Sequence, residues 1–256
     1  MPDFVVMIPA RYASTRLPGK PLLPLAGKPM LAHVHARALA SGARAVYVAT
    51  DDARIARACE TFGARALMTA GHHRCGTERL AQACRLLALD ADCIVVNVQG
   101  DEPLIPTPLI GQVAALLARQ SQAQMATLCC PIESRKDIFN PSVVKVVFSK
   151  DGLALYFSRA PIPWDRDSFA DGQSSARLGP HYRHLGIYAY RAGFLARYAA
   201  LEAGPQERCE SLEQLRALHH GFGIAVEIAC EAPGPGIDTE ADLQHIRQLL
   251  EQSDNP

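Results

Sequence analysis

The sequence carries no excess of either charge: 26 Lys and Arg balance 26 Asp and Glu over 256 residues, for a formal net charge of zero. A global field that would gather nucleic acid or an anionic membrane is therefore missing, and any polyanion must be held by a local cluster. No apolar run approaches the roughly 20 residues needed to cross a bilayer, so no membrane insertion is expected. No signal peptide is visible, because Asp3 precedes a short apolar run that stops at Pro9. The eight cysteines form no C-x-x-C pair and no Cys/His zinc spacing. Several, as in Cys93-Ile-Val-Val and Leu128-Cys-Cys, sit where cysteine acts as a small core hydrophobe. A reduced, cytoplasmic protein is the expectation. Internal repeats, low-complexity tracts and clear linkers are also missing. A chain of this length with 48% hydrophobic residues suits one large α/β domain or two small ones.

What is present begins at Phe4-Val-Val-Met-Ile-Pro-Ala, followed by Arg11-Tyr-Ala-Ser-Thr-Arg16-Leu-Pro-Gly-Lys20-Pro21. The continuous apolar run predicts a strand buried on both faces. Prolines at 9, 18 and 21 and Gly19 forbid a regular helix after it. Arg11, Arg16 and Lys20 therefore project from an irregular loop at the carboxyl end of a first strand, where open α/β sheets bind ligands. Three cations there suit a polyphosphate, with Arg as a fork and Lys as a point charge. A solvated basic loop fits the same spacing, and neither a Walker A pattern nor G-x-G-x-x-G is present to decide between them.

The chain then predicts a helix over Met30 to Ser41 stopped by Gly42, a strand over Ala45 to Thr50, a helix from Asp51-Asp52 to about Phe62, and a short strand near Arg65 to Met68. This is the βαβ rhythm of a parallel sheet. His72-His73 lead to Gly76-Thr77-Glu78-Arg79 and a helix to about Leu89, with Thr77 as its N-cap. The Gly-Thr turn can bring backbone N–H groups close to a base or sugar. The paired histidines have no third ligand at suitable spacing, and a polar loop is expected there. Cys93 to Gln99 is the clearest buried strand, and it runs into Gly100-Asp101-Glu102-Pro103. That places a carboxylate pair on the edge where Arg11 and Arg16 are expected. Two carboxylates plus phosphates are the usual company of Mg²⁺, and beside the basic loop this reading is favoured over a plain polar turn.

After a helix at about Pro108 to Gln120, strands at 126–131, 143–148 and 154–158 are separated by turns, which predicts antiparallel additions to the sheet. Residues 161–180 should form a mobile polar loop, and His184 to Tyr190 another strand. A helix from about Glu210 to His220 would set Glu210 and Gln214 one turn apart on one face, where they either read sugar hydroxyls or decorate a solvated surface. On the residues alone the surface reading is favoured. A strand at 225–229 and a turn at Gly234-Pro-Gly236 precede a terminal helix from Thr239 to Gln252. Thr239 and Asp242 are placed as a capping box there. Asp238 serves either the helix start or a second metal carboxylate.

Ile8-Pro-Ala-Arg11-Tyr-Ala-Ser-Thr-Arg16-Leu-Pro-Gly-Lys20-Pro21 resembles the opening of the CMP-Kdo synthetases, the 3-deoxy-manno-octulosonate cytidylyltransferases. The resemblance continues through Gly76-Thr-Glu-Arg79-Leu, Asn97-Val-Gln-Gly-Asp-Glu-Pro103, Phe157-Ser-Arg-Ala160 with Ile162-Pro-Trp-Asp-Arg166, and Arg183-His-Leu-Gly-Ile-Tyr188. It ends in Leu212-Glu-Gln-Leu-Arg216 and Gly236-Ile-Asp-Thr239, so it covers nearly the whole chain in order. It implies an α/β fold with a Rossmann-like, mixed but mostly parallel sheet flanked by helices and a strand-rich arm that makes a homodimer. It also implies the reaction CTP + Kdo → CMP-Kdo + pyrophosphate with Mg²⁺, supplying lipopolysaccharide synthesis.

Carried over by position, Arg11, Arg16 and Lys20 match the triphosphate loop, and Gly76, Thr77 and Arg79 the segment beside the cytidine. Gly100 and Asp101 fall in the nucleotide segment, with Asp101 and Asp238 as the Mg²⁺ carboxylates. Gln99, Arg159, His184, Tyr188, Glu210 and Gln214 fall around the sugar, while Arg11, Lys20, Asp101 and Asp238 form the catalytic set. Residues 1–125 would form the CTP-binding part, 126–235 the sugar-binding and dimerisation part, and 236–256 the part with the second aspartate. The chain departs from the family pattern at Cys75, where serine is frequent, and at Pro161, where threonine is.

Overall fold

The structure is a computed structural model, and it describes residues 2–13, 17–170 and 179–253. Strand β1 (Phe4–Ala10) is buried along its length because it is apolar on both sides. Phe4, Val6 and Ile8 enter one core cluster, and Val5 and Met7 enter the cluster on the opposite face. A short 3₁₀ turn (Lys20–Leu22) and a small hairpin, β2 (Pro24–Leu25) with β3 (Lys28–Pro29), lead to α1 (Met30–Leu39). Then β4 (Ala45–Thr50), α2 (Ala53–Thr61), β5 (Arg65–Met68), α3 (Gly76–Leu86), β6 (Ile94–Asn97) and α4 (Thr107–Arg119) complete the expected βαβ progression. β4 and β6 flank β1, both parallel to it.

The second half adds β7 (Ala123–Pro131), α5 (Arg135–Phe139), β8 (Lys145–Phe148), β9 (Ala154–Ser158) and α6 (Arg166–Ala170). β10 (Tyr182–Arg191), α7 (Ala192–Tyr198), α8 (Pro205–Glu210), α9 (Gln214–His219), β11 (Gly223–Ile228) and α10 (Glu240–Ser253) follow. The main sheet runs β11-β7-β10-β6-β1-β4-β5, with the β8–β9 hairpin branching from β10. β10 is antiparallel to both β6 and β7, whereas β11 is parallel to β7. The result is a mixed, mostly parallel sheet flanked by helices, as the sequence predicts.

Three expectations are corrected. The stretch 161–180 is not simply a loop, because residues 166–170 form α6; residues 171–178 lie outside the described set. The helix placed over Glu210 to His220 is two helices, because Ser211 adopts a left-handed backbone (φ 52°) that ends α8. Glu210 and Gln214 are therefore not one turn apart on a shared helical face. Thr77 is not the N-cap of α3: Cys75 holds that position without a side-chain cap bond, and Thr77 lies inside the first turn.

Two backbone approaches bring the site together. A Cβ on Gly100 would meet the Pro9 carbonyl oxygen at 3.2 Å, so glycine lets the end of β6 close on the end of β1 without crowding that backbone. The Ile237 N–H donates to the Asp101 carbonyl oxygen at 3.0 Å, which fixes Asp238 beside Asp101 across a long chain separation. α10 holds that contact in place by packing Leu243 and Ile246 with Ile237 against Leu17, Leu25 and Met30. The capping box is formed as predicted. The Thr239 N–H donates to Asp242 Oδ2 at 2.7 Å, and the Asp242 N–H donates to Thr239 Oγ1 at 3.2 Å.

Candidate functional site

The carboxyl ends of β1 and β6 open into a crevice of about 310 Å³. Pro9, Arg11, Lys20, Gly76, Gln99, Gly100, Asp101 and Asp238 line it. Arg11, Lys20 and the two distant aspartates thus share one cavity. Lys20 Nζ donates to Asp101 Oδ2 at 2.6 Å and stands 3.5 Å from Asp238 Oδ1. The ammonium is 13% exposed, while the two carboxylates are 39% and 62% exposed. Arg11 reaches the other rim: its Nη2 donates to the His73 carbonyl at 2.7 Å, tying the basic loop to the loop before α3. Arg16 lies outside the described residues.

Gly76 and Gln99 also border a second compartment of about 230 Å³, so the two cavities meet along one wall. Its lining includes Thr77, Asn97, Tyr188, Tyr190, Tyr198, Glu213 and Gln214. The tyrosines supply flat walls. Thr77 Oγ1 donates to Glu213 Oε2 at 3.2 Å, and Tyr198 Oη donates to the Glu213 carbonyl at 2.8 Å. Asn97 Oδ1 and Gln214 Nε2 are buried and have no hydrogen-bond partner among the described residues. Buried polar groups are normally satisfied, so one unpaired acceptor and one unpaired donor on the lining of a cavity mark a place prepared for a polar ligand. Sequence reasoning named Gln214 but missed Asn97, Glu213, Tyr190 and Tyr198. The run Leu212-Glu-Gln carried a signal in Glu213, which stands beside Gln214 on the same wall.

The remaining expected residues divide. Tyr188 lines the second compartment, and His184 lies behind it, its ring 5.3 Å from that of Tyr188, on a third cavity with Glu102, Arg183 and Asp238. His184 Nε2 bonds Thr127 Oγ1 at 3.0 Å. Burial, helped by Arg183, pushes its imidazole down to about 3. Burial and the Asp101 carboxylate push Glu102 up to about 7. Burial and Glu213 push the Cys75 thiol up to about 12, so that sulfur stays a protonated, weak hydrogen-bonding group.

Arg159 and Glu210 do not face the second compartment. The Glu210 carboxylate accepts from Ser158 Oγ at 2.6 Å and from the Arg159 N–H at 2.8 Å, while Arg159 Nε donates to the Glu210 carbonyl at 2.6 Å. They bind the end of β9 to the end of α8 and are consumed in doing so.

Arg79 is likewise displaced from the expected role. It is fully buried, its Nη1 donating to Thr69 Oγ1 at 2.5 Å and its Nη2 to Asp51 Oδ2 at 3.0 Å. It clamps the ends of β4 and β5 to α3 and lines neither compartment.

The His184 shift has a sign that can be tested. The unfolded chain takes up this proton near pH 6.5, whereas the folded chain resists it down to about pH 3. Stability present above pH 6.5 is therefore lost as pH falls through that window. Relative to pH 7.5, wild-type protein at pH 5 is expected to lose roughly 1–2 kcal/mol that His184→Gln does not lose. Urea melts of both proteins at the two pH values read this difference. Parallel losses in both proteins would show that His184 is not the titrating group.

The sequence profile of a family described as Cytidylyltransferase matches residues 5–228. The chain is 57% identical to the 3-deoxy-manno-octulosonate cytidylyltransferase of Hahella chejuensis, over 99% of this chain and all of that one. It is 58% identical to the enzyme of the same name from Idiomarina loihiensis, over 96% of this chain and 98% of its relative. Among solved structures, it is similar to CMP:2-keto-3-deoxy-manno-octonic acid synthetase complexed with CTP. That match has a TM-score of 0.89 and 42% identity, and covers 98% of this chain and all of the other.

Proposed function

The chain belongs to the 3-deoxy-manno-octulosonate cytidylyltransferases, and we propose that it activates Kdo by transferring CMP from CTP to the sugar's anomeric hydroxyl. The products are CMP-Kdo, for lipopolysaccharide synthesis, and pyrophosphate. The observation that carries this reading is the shared wall of Gly76 and Gln99. It joins a crevice of cations and carboxylates to a compartment of tyrosines and unsatisfied amides, as a nucleotide and a polar sugar meeting at one phosphorus require.

In this reading CTP lies along the first crevice, with Arg11, Arg16 and Lys20 on the triphosphate. Gly100 and the backbone of Gly76 and Thr77 at the start of α3 complete the nucleotide side, where the helix N-terminus favours negative charge. Asn97 Oδ1 and Gln214 Nε2 meet sugar hydroxyls, Gln99 stands at the junction, and Tyr188 packs on the ring. His184, neutral at pH 7, orients Tyr188 from behind. Arg159 and Glu210 act indirectly, by fixing the β9–α8 junction next to Ser211 on the compartment wall. The anomeric oxygen attacks the α-phosphorus in line, the bond to the bridging oxygen breaks, and the electron pair leaves with pyrophosphate. Positioning and charge neutralisation by these side chains supply most of what such a transfer needs.

Asp101 and Asp238 fit a hard divalent cation. They are two carboxylates that a single ammonium already spans, open on the side where phosphate oxygens would complete the set. They would hold Mg²⁺, which supplies Lewis-acid stabilisation of phosphate charge and lowers the pKa of the attacking hydroxyl.

The part at about 1–125 contributes the nucleotide side and, through Asn97 and Gln99, one wall of the sugar compartment; the part at about 126–235 contributes the rest of that compartment, and the part from 236 the second aspartate. Exposed Trp164, Phe139 and Leu155, on or beside the β8–β9 hairpin and its flanking helices, are proposed to be covered by a second copy, a homodimer that light scattering would detect. No helix among the described residues is long and apolar enough to cross a membrane. The free cysteines suit a reducing compartment, and the cytoplasm is the proposed location.

The test of the reaction is pyrophosphate release with CTP, Mg²⁺ and a panel of acidic sugars. Turnover is expected with Kdo and not with sialic acid. Release with sialic acid alone, or none with any sugar, would overturn the reading.

A further inference from the structure

We propose that Lys20 is an exchangeable counter-ion that couples nucleotide binding to divalent-cation binding. The inference rests on the reading of Asp101 and Asp238 as the metal carboxylates. One ammonium spans both, 2.6 Å from Asp101 Oδ2 and 3.5 Å from Asp238 Oδ1. An ammonium and a divalent cation are like charges that need the same oxygens at contact distance. They exclude each other there, because charges at such range repel far more than bulk water can screen.

The backbone does not have to move for Lys20 to leave. Its N–H donates to the Leu17 carbonyl at 3.0 Å, its carbonyl accepts from the Leu23 N–H at 3.2 Å, and Pro21 next to it is buried. Only the four-carbon stem is free to turn, and it turns within a crevice that Arg11 and Gly100 also line. Arg11 is held on the opposite rim by the His73 carbonyl and does not compete for the aspartates. A triphosphate in that crevice gives the ammonium new acceptors and, in the same step, withdraws its charge from Asp101 and from beside Asp238. In the absence of nucleotide, Lys20 acts as a plug on the acidic pair. With nucleotide bound, it becomes part of the phosphate grip. Linkage makes the effect reciprocal: cation binding strengthens nucleotide binding by the same factor.

The experiment titrates Mn²⁺ into the full chain, without sugar or nucleotide, and follows free Mn²⁺ by electron paramagnetic resonance. Wild type, Lys20→Met and the double variant Lys20→Met/Asp101→Asn are compared. Lys20→Met is expected to bind Mn²⁺ about tenfold more tightly than wild type, within the usual range of coupling factors. Both carboxylates are exposed enough to stay solvated when the ammonium is removed, and melting curves check that the variant is folded. Equal or weaker Mn²⁺ binding by Lys20→Met, with the site still abolished by Asp101→Asn, would overturn the plug while leaving the metal reading intact. Mn²⁺ binding that persists in the double variant would overturn the metal reading, and the plug with it.

Discussion

Asp101→Asn is expected to lower kcat/KM for pyrophosphate release by at least 10²–10³-fold, about 3–4 kcal/mol of transition-state stabilisation, while the protein stays folded. The side chain is 39% exposed at the mouth of the crevice and belongs to no core cluster. Lys20 keeps Asp238 at 3.5 Å, so the ammonium is not stranded and the loss costs about 1 kcal/mol of stability. The Ile237–Asp101 contact that sets the geometry runs through the backbone carbonyl and survives the substitution. In the proposed mechanism the chemistry, in contrast, loses one of the two carboxylates that would hold the cation. Steady-state assays together with thermal melts separate the two effects. Activity within threefold of wild type would remove Asp101 from the mechanism.

The largest expected effect on stability lies at Asp51. Arg79 has no solvent to turn to, and Asp51 is the only carboxylate that bonds it among the described residues. Removing one partner of a buried pair strands the other charge, at a cost of 3–5 kcal/mol when both are fully enclosed. Asp51 is 23% exposed, so water can partly replace it, and about 2–3 kcal/mol is the expected loss for Asp51→Ala. In a chain of this size that lowers Tm by roughly 5–10 °C. The double variant Asp51→Ala/Arg79→Met, which leaves no charge behind, should recover most of the loss, because an apolar replacement of a buried pair is often close to neutral. A single variant that melts within a degree of wild type would mean that Arg79 finds another counter-charge.

Much of the site was readable because its constraints are local. The apolar run ending at Pro9, the Pro-Gly-Lys-Pro turn and the carboxylates after β6 each declare their conformation within a few residues, and the sheet order then brings them to one edge. What was misread depends on distant partners. Arg79 is expected in the segment beside the cytidine, but Thr69 and Asp51, at the ends of two different strands, enclose it. Glu210 and Gln214 had helical spacing, but Ser211 breaks the helix between them, and Glu210 is then consumed by Ser158 and the Arg159 backbone. α7 follows β10 with no side-chain cap to announce it. The orphaned atoms of Asn97 and Gln214 have no sequence signature, since being unpaired is a property of the folded surroundings alone.

The docking of α10 gives the protein two unequal thresholds against heat. Asp101 is anchored to the central sheet, whereas Asp238 depends on a helix docked by a small apolar cluster and the bonds of Arg247 to the Pro24 carbonyl, and lightly packed segments open first. Warming should therefore disperse the carboxylates while the sheet still stands. Inactivation would precede melting, a gap visible when both curves are recorded on one sample.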